Sequence, residues 1–191
     1  MNFPKATEMA HQLVSARIKK RNSAIDATAG NGHDTLFLAK AVGNGGKVFA
    51  IDLQEQAIAA TRERIEATEW AKPVEYFCGD HAAIHELIPV GKHGKIKAIM
   101  FNLGYLPGGD KSATTTWPTT IKAIRAGLEL LSDTGLMTIV VYPGHPAGAQ
   151  ESIALDKFST QLDPDRFNVV RYAFVNPRHR ERPYLIAIER L

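Results

Sequence analysis

The chain has 191 residues, of which 45% are hydrophobic and 23% charged, and its formal net charge is +3. These values are ordinary for a globular domain and exclude a disordered, collagen-like or disulfide-scaffolded chain. The longest apolar runs fall far short of the roughly 20 residues that a bilayer span requires. The single cysteine, Cys78, excludes an internal disulfide and is expected to be buried. We therefore expect a cytoplasmic protein that does not bind membranes.

Segments with helical periodicity alternate with short apolar strands along most of the chain. Helices are predicted over residues 6–20, 34–42, 55–69 and 119–131. Strands are predicted over residues 24–27, 48–52, 74–78, 96–102 and 136–142. This alternation is typical of a parallel sheet with right-handed crossover connections.

The last quarter of the chain departs from this pattern. Residues 167–175 and 184–189 both have strand character, and only residues 176–183 connect them. A parallel crossover needs about a dozen residues, so these two strands are predicted to form an antiparallel hairpin. No repeat or linker interrupts the sequence. We therefore predict one domain over 1–191, with an N-terminal helix within residues 1–21 packed on it.

The segment Asp-Ala-Thr-Ala-Gly-Asn-Gly-His-Asp-Thr (26–35) joins the first predicted strand to the next helix. Glycines at such a turn let the backbone bend sharply and let a ligand approach closely. A purely structural turn is the alternative, because Gly-x-Gly alone is a weak signal. A dinucleotide site would have Gly or Ala where Thr35 stands, which disfavours a nicotinamide or flavin enzyme.

Acidic residues stand at the ends of the first three predicted strands. Asp52 stands about 20 residues beyond Gly30, the spacing at which a carboxylate binds a ribose. Asp80 follows the third strand and can accept a hydrogen bond from an adenine amino group. Each can instead cap the helix that follows it. Because ligands of open α/β sheets bind at the carboxyl ends of the strands, Asp26, Asp52 and Asp80 are expected to converge.

Together with the terminal hairpin, these features resemble the class I S-adenosylmethionine-dependent methyltransferases. That resemblance implies a Rossmann-like α/β fold, a doubly wound, mostly parallel seven-stranded sheet. The segments 26–35 and Asn-Leu-Gly-Tyr-Leu-Pro-Gly-Gly-Asp-Lys (102–111) are similar to those of the family labelled putative rRNA methylase. At least some of its members, the MnmM-type enzymes, methylate tRNA wobble 5-aminomethyl-2-thiouridine to its methylaminomethyl form.

The resemblance implies S-adenosylmethionine as the cofactor and assigns residues to its parts. The glycine turn would surround the methionine moiety, while Asp52 and Asp80 would hold the ribose and the adenine. The predicted cofactor-binding residues are Asp26, Thr28, Gly30, Asn31, Gly32, His33, Asp34, Asp52, Gln54, Asp80, His81 and Asn102.

Three residues are predicted to act on the acceptor. The side-chain carbonyl of Asn102 can orient an amine for in-line transfer, although Asn102 can also be a plain strand-end turn residue. Leu-Gly follows Asn102 where amino-group methyltransferases often have Pro-Pro, and this departure suits a flexible aliphatic amine. Tyr105 is predicted to wall the pocket or stack on a base. His145 is the candidate proton acceptor, with a solvent-facing loop histidine as the alternative.

Two basic clusters are candidate RNA-binding sites. One is the hairpin turn, with Arg178, Arg180 and Arg182, and the other contains Lys19 and Lys20. Charged turns of this kind are often only solvated. The predicted substrate is the anticodon stem-loop of tRNA, with rRNA, a small amine, a nicotinamide-dependent reaction or a silent cofactor-binding module as alternatives. No metal site is predicted, and the oligomeric state is left open, with a homodimer as one alternative.

Overall fold

The computed structural model describes residues 3–104, 115–177 and 182–191. The strands are β1 (Ser23–Asp26), β2 (Lys47–Asp52), β3 (Val74–Cys78), β4 (Ile96–Asn102), β5 (Leu131–Val141), β6 (Phe167–Tyr172) and β7 (Tyr184–Arg190). The helices are α1 (Ala6–Arg17), α2 (His33–Val42), α3 (Glu55–Glu66), α4 (Ile84–Leu87), α5 (Trp117–Leu130) and α6 (Pro146–Ser159). No helix in this part of the chain is long and apolar enough to cross a membrane.

The strands form one sheet in the order β3-β2-β1-β4-β5-β7-β6. Neighbouring strands from β3 to β5 pair in parallel, whereas β7 is antiparallel to both β5 and β6. The predicted fold class is therefore confirmed, including the antiparallel pair at the end of the chain.

Both faces of the sheet are covered, because apolar side chains alternate between two cores. Ile25 and Phe49 point toward the core that α4, α5 and α6 cover, and Ala24 and Val48 point toward α1, α2 and α3. Fully burying a side chain such as Ile25 stabilises the folded state by about 1.5–3 kcal/mol. Because both faces of this sheet are buried, its strands are apolar at successive positions rather than at every second one. The N-terminal helix α1 packs against β4, β5 and β7.

The topology brings several chain segments to one edge of the sheet. The carboxyl ends of β1 to β5 lie there, because these strands are parallel. The start of β7 lies at the same edge, since Tyr184 pairs with Val141 at the end of β5. The connection from β6 to β7 therefore begins and ends beside the edge where strand-end side chains converge.

Several sequence predictions differ from the structure. The helices predicted over 6–20 and 55–69 end at Arg17 and Glu66, and the strand predicted over 167–175 ends at Tyr172. Helix α6 was not predicted, because its buried positions include Gly148 and Glu151 and so produce no continuous apolar stripe. Strand β5 begins at Leu131, which pairs with Ile96 before an irregularity in the register. Cys78 is exposed at the end of β3 rather than buried.

Candidate active site

The glycine turn after β1 is held against α3. Gly30 and Gly32 have φ values of +53° and +78°, which glycine adopts without strain. A Cβ at Gly32 would lie 2.9 Å from the Cα of Thr61, so no larger residue fits there. The Thr61 hydroxyl donates to the Gly30 carbonyl at 3.0 Å, and Arg64 Nε donates to the carbonyl of Asn31. The shape of the turn is therefore set by its neighbours before any ligand binds.

Asp26 lies beneath this turn. Its fully buried carboxylate accepts hydrogen bonds from the Thr35 hydroxyl at 2.6 Å and from the Thr28 backbone N–H at 3.2 Å. Burial, reinforced by the negative charge of Asp34, raises the pKa of Asp26 from 3.8 to about 7. The carboxyl that supports the turn therefore changes protonation near neutral pH.

Asp52, at the end of β2, connects two backbone segments. Its Oδ2 accepts a hydrogen bond from the Gly30 N–H at 2.9 Å, and its Oδ1 accepts one from the Gln54 N–H at 2.9 Å. Asp52 therefore orders the turn that leads into α3 through the Gln54 N–H, and it also holds the glycine turn. Its carboxylate is fixed in direction while it remains partly exposed to the cavity.

The end of β3 contributes a second carboxylate and an imidazole. Asp80 Oδ1 accepts a hydrogen bond from the Ala82 N–H at 2.8 Å and so caps the short helical turn His81–Ala83. The buried ring of His81 stands edge-on to Phe101, with the ring centroids 5.8 Å apart. Burial lowers the pKa of His81 despite the nearby Asp80, so the imidazole is neutral at physiological pH.

These strand ends surround a cavity of about 600 Å³, a volume within the usual range for small-molecule sites. The predicted cofactor residues that line it are Thr28, Gly30, Asn31, His33, Asp34, Asp52, Gln54, Asp80, His81 and Asn102. The other two lie outside its lining, since Asp26 is buried under the turn and Gly32 faces α3. Most of the predicted set is thus brought together, with two members in supporting positions.

Asn102 lies at the centre of the strand-end edge. Its backbone N–H donates to the Thr28 hydroxyl at 2.7 Å, which links the end of β4 to the turn after β1. Among the described residues, no hydrogen bond involves its side-chain amide. The amide thus lines the cavity with its carbonyl available to a ligand.

The far wall of the cavity was largely missed by sequence reasoning. It is lined by Leu103, Gly104, Thr115, Thr116, Thr119, Tyr142, Gly144 and His145. Two hydrogen bonds of 2.9 Å connect Gly104 and Thr115. The Gly104 N–H donates to the Thr115 hydroxyl, and the Thr115 N–H donates to the Gly104 carbonyl. This pair joins the segment after β4 to the segment before α5.

Glu151, on α6, supports this pair from inside the protein. Its carboxylate is 1% exposed and accepts hydrogen bonds from the hydroxyls of Thr115 at 3.0 Å and Thr120 at 2.5 Å. Burial raises the pKa of Glu151, while the two threonine hydroxyls act in the opposite direction. One buried carboxylate thus connects α6, α5 and the cavity wall. Its only sequence signal is a glutamate in an otherwise small and apolar segment.

The position of His145 bears on its predicted role as a proton acceptor. Its Nδ1 accepts a hydrogen bond from the Gly148 N–H at 3.1 Å and caps the start of α6. A Cβ at Gly148 would come within 2.0 Å of the Tyr142 carbonyl, so this tight cap requires glycine. Because Nδ1 is occupied, the neutral ring carries its proton on Nε2. The geometry therefore disfavours His145 as a base.

A carboxylate–imidazole pair lies on the side of α1 instead. His11 Nε2 is 2.7 Å from Asp34 Oδ1, and its ring stacks on Phe37 with the planes 3° apart. The charge of Asp34 also acts on Tyr142 of the cavity wall: burial raises the pKa of the Tyr142 hydroxyl, and the negative charge of Asp34 raises it further. Sequence reasoning assigned Asp34 to the cofactor but missed His11, because no local pattern connects residues of α1 with the turn before α2.

The remaining predicted residues divide by position. Tyr105, Arg178 and Arg180 lie outside the described residues. Arg182 is exposed in the connection from β6 to β7, at the cavity edge of the sheet. Lys19 and Lys20 precede β1, at the amino ends of the parallel strands, whereas Arg182 lies near their carboxyl ends. The described ranges contain no group of three His, Cys, Asp or Glu side chains placed to hold a metal ion.

The sequence matches the model of a known protein family. The family is described as "Putative rRNA methylase", and the match covers residues 48–189.

A curated relative from Arabidopsis thaliana is named tRNA (mnm(5)s(2)U34)-methyltransferase, chloroplastic. It is 37% identical over 180 residues, which cover 90% of this chain. The present chain spans 65% of that relative's length.

Two solved bacterial structures cover the whole chain and are themselves wholly covered. One is a putative rRNA methylase from Clostridium thermocellum, with 35% identity and a TM-score of 0.94. The other is a putative methyltransferase from Streptococcus mutans in complex with SAH, with 36% identity and a TM-score of 0.88. The seven-stranded arrangement is therefore shared with methyltransferases of similar sequence.

Proposed function

The chain belongs to the putative rRNA methylase family, and from that premise we propose that it methylates the aminomethyl nitrogen of a wobble uridine in tRNA, using S-adenosylmethionine. One observation carries the proposal: a single cavity joins a half built on Asp52 and Asp80 to a half built around Asn102. The first half suits an adenosine-containing cofactor, and the second suits an amine acceptor. The SAH complex of the Streptococcus mutans relative supports the choice of cofactor.

The cofactor half has unused hydrogen-bonding capacity in the right places. A carboxylate has about four lone-pair sites, and Asp52 uses two of them on the Gly30 and Gln54 amides. The others can accept from the two ribose hydroxyls. Asp80 uses one oxygen on the Ala82 amide, so its other oxygen can accept from the adenine amino group. When bound, S-adenosylmethionine supplies a methyl group made electrophilic by the positively charged sulfur.

On the acceptor side, Asn102 orients the nucleophile. The side-chain carbonyl can accept an N–H of the amine and so aim the nitrogen lone pair at the methyl carbon. The nitrogen gains a bond to carbon as the carbon–sulfur bond breaks, and it gives up one proton. Leu103 and Gly104 leave this wall without the rigid proline pair that frames a planar base, and, its chain neighbours aside, no atom of the other described residues lies within 4 Å of the point where a Cβ of Gly104 would stand.

The proton has a destination within the cavity. Asp34 lines the cavity and holds His11 at 2.7 Å, so the pair can bind an ammonium group and accept its proton. Asp34 therefore replaces His145 as the candidate acceptor of the proton. Orientation by Asn102 would still supply most of the rate effect, because an aliphatic amine can also lose its proton to water before transfer.

The choice of tRNA is supported by the name of the Arabidopsis relative. The family description and the Clostridium relative favour rRNA as the second candidate. Both substrates present single-stranded nucleotides that an enzyme can read as exposed bases.

The experiment that tests the proposal uses RNA from cells that lack this gene. Purified protein and S-adenosylmethionine are incubated separately with the tRNA and rRNA fractions, and digested nucleosides are identified by mass spectrometry. A gain of one methyl group on 5-aminomethyl-2-thiouridine in tRNA alone is expected. Methylation of rRNA alone, or of neither fraction despite measured cofactor binding, would overturn the tRNA proposal.

A matched pair of variants tests the role of Asn102. Asn102→Ala is expected to lower kcat by about 100-fold, because it removes the side chain that orients the amine. Asn168→Ala, on the exposed face of β6, is the control and should behave as wild type. Equal activity of the two variants would remove Asn102 from the mechanism.

A further inference from the structure

A partly exposed aromatic cluster lies at the end of β6. The ring of Phe174 stands edge-on to Tyr172 and to Phe3, with centroid distances of 6.2 and 6.4 Å. The guanidinium carbon of Arg182 lies 3.7 Å from the Phe174 ring centroid. We call these four residues the aromatic platform.

The platform is partly accessible, since Phe3 and Arg182 are exposed whereas Tyr172 and Phe174 are half-buried. Phe3 is 78% exposed, and the neighbouring Val175 is 99% exposed. The Tyr172 hydroxyl donates to the Pro4 carbonyl at 2.8 Å, which ties the segment before α1 to the end of β6. Large apolar side chains grouped at a surface in this way mark a binding site more often than isolated ones do.

The sheet places the platform beside the cavity. Tyr172 pairs with Leu185, and Leu185 pairs with Val140 of β5. Two strand spacings, about 10 Å, therefore separate Tyr172 from the end of β5. Tyr142, two residues further along that strand end, lines the cavity. A nucleotide chain with one residue in the cavity can reach the platform with a neighbouring residue.

We propose that the platform stacks an unpaired base of the substrate RNA on the outer face of the Arg182 guanidinium, next to the nucleotide that is methylated. This inference rests on the proposed function, since it identifies where the same RNA substrate binds beyond the cavity. The guanidinium of Arg182 lies over the Phe174 ring, and because Arg182 is exposed, part of its surface is open to a base that approaches from solvent.

The chemistry of the platform favours RNA over a protein partner. Unpaired bases stack on aromatic rings and on arginine planes, and the positive charge also attracts the phosphate backbone. The exposed arginine adds a positive charge to the surface, and a purely apolar partner would have to desolvate that charge. Lysine provides the same charge but no plane, so the two contributions can be separated.

The test compares Arg182→Lys, Arg182→Ala and Phe174→Leu with wild type, and Val170→Ala on the exposed side of β6 is the control. An anticodon stem-loop RNA carries 2-aminopurine beside the target uridine, and its fluorescence quenching reports stacking on binding. Affinity is measured at several salt concentrations, and S-adenosylmethionine binding is measured for every variant to show that the fold is intact.

We expect Arg182→Lys to lose quenching and roughly ten-fold in RNA affinity while the salt dependence stays unchanged. Arg182→Ala should lose at least as much and should also show a weaker salt dependence. Phe174→Leu should lower quenching, because the Arg182 guanidinium loses the aromatic ring over which it is positioned. Val170→Ala should match wild type.

Wild-type affinity and quenching in Arg182→Lys would overturn the platform while leaving the proposed function intact. Loss of self-association in the platform variants with unchanged RNA affinity, measured by sedimentation, would overturn it in favour of a protein interface. A wild-type protein that binds S-adenosylmethionine but neither binds nor methylates the RNA would overturn the proposed function itself.

Discussion

The two halves of the cavity are constructed in different ways. In the cofactor half, Asp52 ends its strand and Asp80 lies just beyond its own, and each accepts a hydrogen bond from the backbone N–H two residues further along the chain. Asp52 also binds the Gly30 N–H, 22 residues before it. In the acceptor half, Thr115 and Thr120 reach a carboxylate 36 and 31 residues away, on another helix. The two carboxylates of the cofactor half are therefore placed mainly by local turns, with Asp52 also held against the glycine turn, whereas the acceptor half depends on packing between α5 and α6.

This difference has a functional consequence. Changes in the packing of α5 against α6 can reshape the acceptor wall without disturbing the glycine turn. A fold of this kind can therefore keep one cofactor and change its acceptor, as function-bearing loops on a constant scaffold do. Four substitutions test whether the two halves are as separable as their contacts indicate.

The largest effect is expected from Asp52→Ala. It removes a charged acceptor for the ribose and releases the amides of Gly30 and Gln54, and hydrogen bonds to charged groups contribute about 1.5–3 kcal/mol each. Affinity for S-adenosylhomocysteine, measured by calorimetry, should fall about 100-fold. Asp163→Ala, on an exposed loop, is the matched control. A fall of less than three-fold for Asp52→Ala would contradict the assigned role.

The next effect concerns pH and the support beneath the turn. Because the folded-state pKa of Asp26 is about 7, well above its ordinary 3.8, the folded protein binds that proton more tightly than the unfolded chain does. This proton therefore stabilises the folded state, with its full effect below pH 3.8, and the stabilisation is lost as the pH rises to about 7. Asp26→Asn remains neutral, so relative to wild type it should gain about 2–3 kcal/mol between pH 5 and pH 8.

Urea unfolding of both proteins at several pH values measures this difference. Asp163→Asn serves as the control, because an exposed aspartate should not change the pH dependence. Parallel stability curves for wild type and Asp26→Asn over this range would contradict the raised pKa.

Glu151→Ala tests the acceptor half. It leaves the Thr115 and Thr120 hydroxyls without their partner and should lower the free energy of unfolding by about 2 kcal/mol. The RNA KM should rise several-fold while cofactor affinity stays unchanged. Glu151→Gln keeps one acceptor oxygen and should return the RNA KM most of the way to the wild-type value. Glu129→Ala, on the exposed face of α5, is the control and should have no effect. Equal weakening of cofactor and RNA binding would show that the halves are not separable.

The smallest effect is expected at His145. His145→Ala removes the cap of α6 and should cost about 1 kcal/mol of stability with little change in kcat. His145→Asn should restore the stability, because asparagine also caps helices well. A loss of kcat larger than ten-fold in both variants, together with a changed pH–rate profile, would make His145 a proton acceptor after all.

The sequence by itself determined the features that depend on residues close together in the chain. The alternating apolar segments predicted the parallel sheet, and the short connection before Tyr184 predicted the antiparallel pair. The carboxylates at successive strand ends predicted one shared edge, because parallel strands must present their carboxyl ends together. Most of the cofactor half was accessible for this reason.

Only the tertiary structure decided the rest, since it depends on which distant segments pack together. Helix α6 lacks an apolar stripe, and its buried Glu151 becomes meaningful only beside the threonines of the cavity wall. His11 meets Asp34 because α1 crosses the sheet, and Lys19 lies at the amino ends of the parallel strands whereas Arg182 lies near their carboxyl ends. Periodicity predicts which residues are buried, but the partners of a buried polar group are set by the three-dimensional fold.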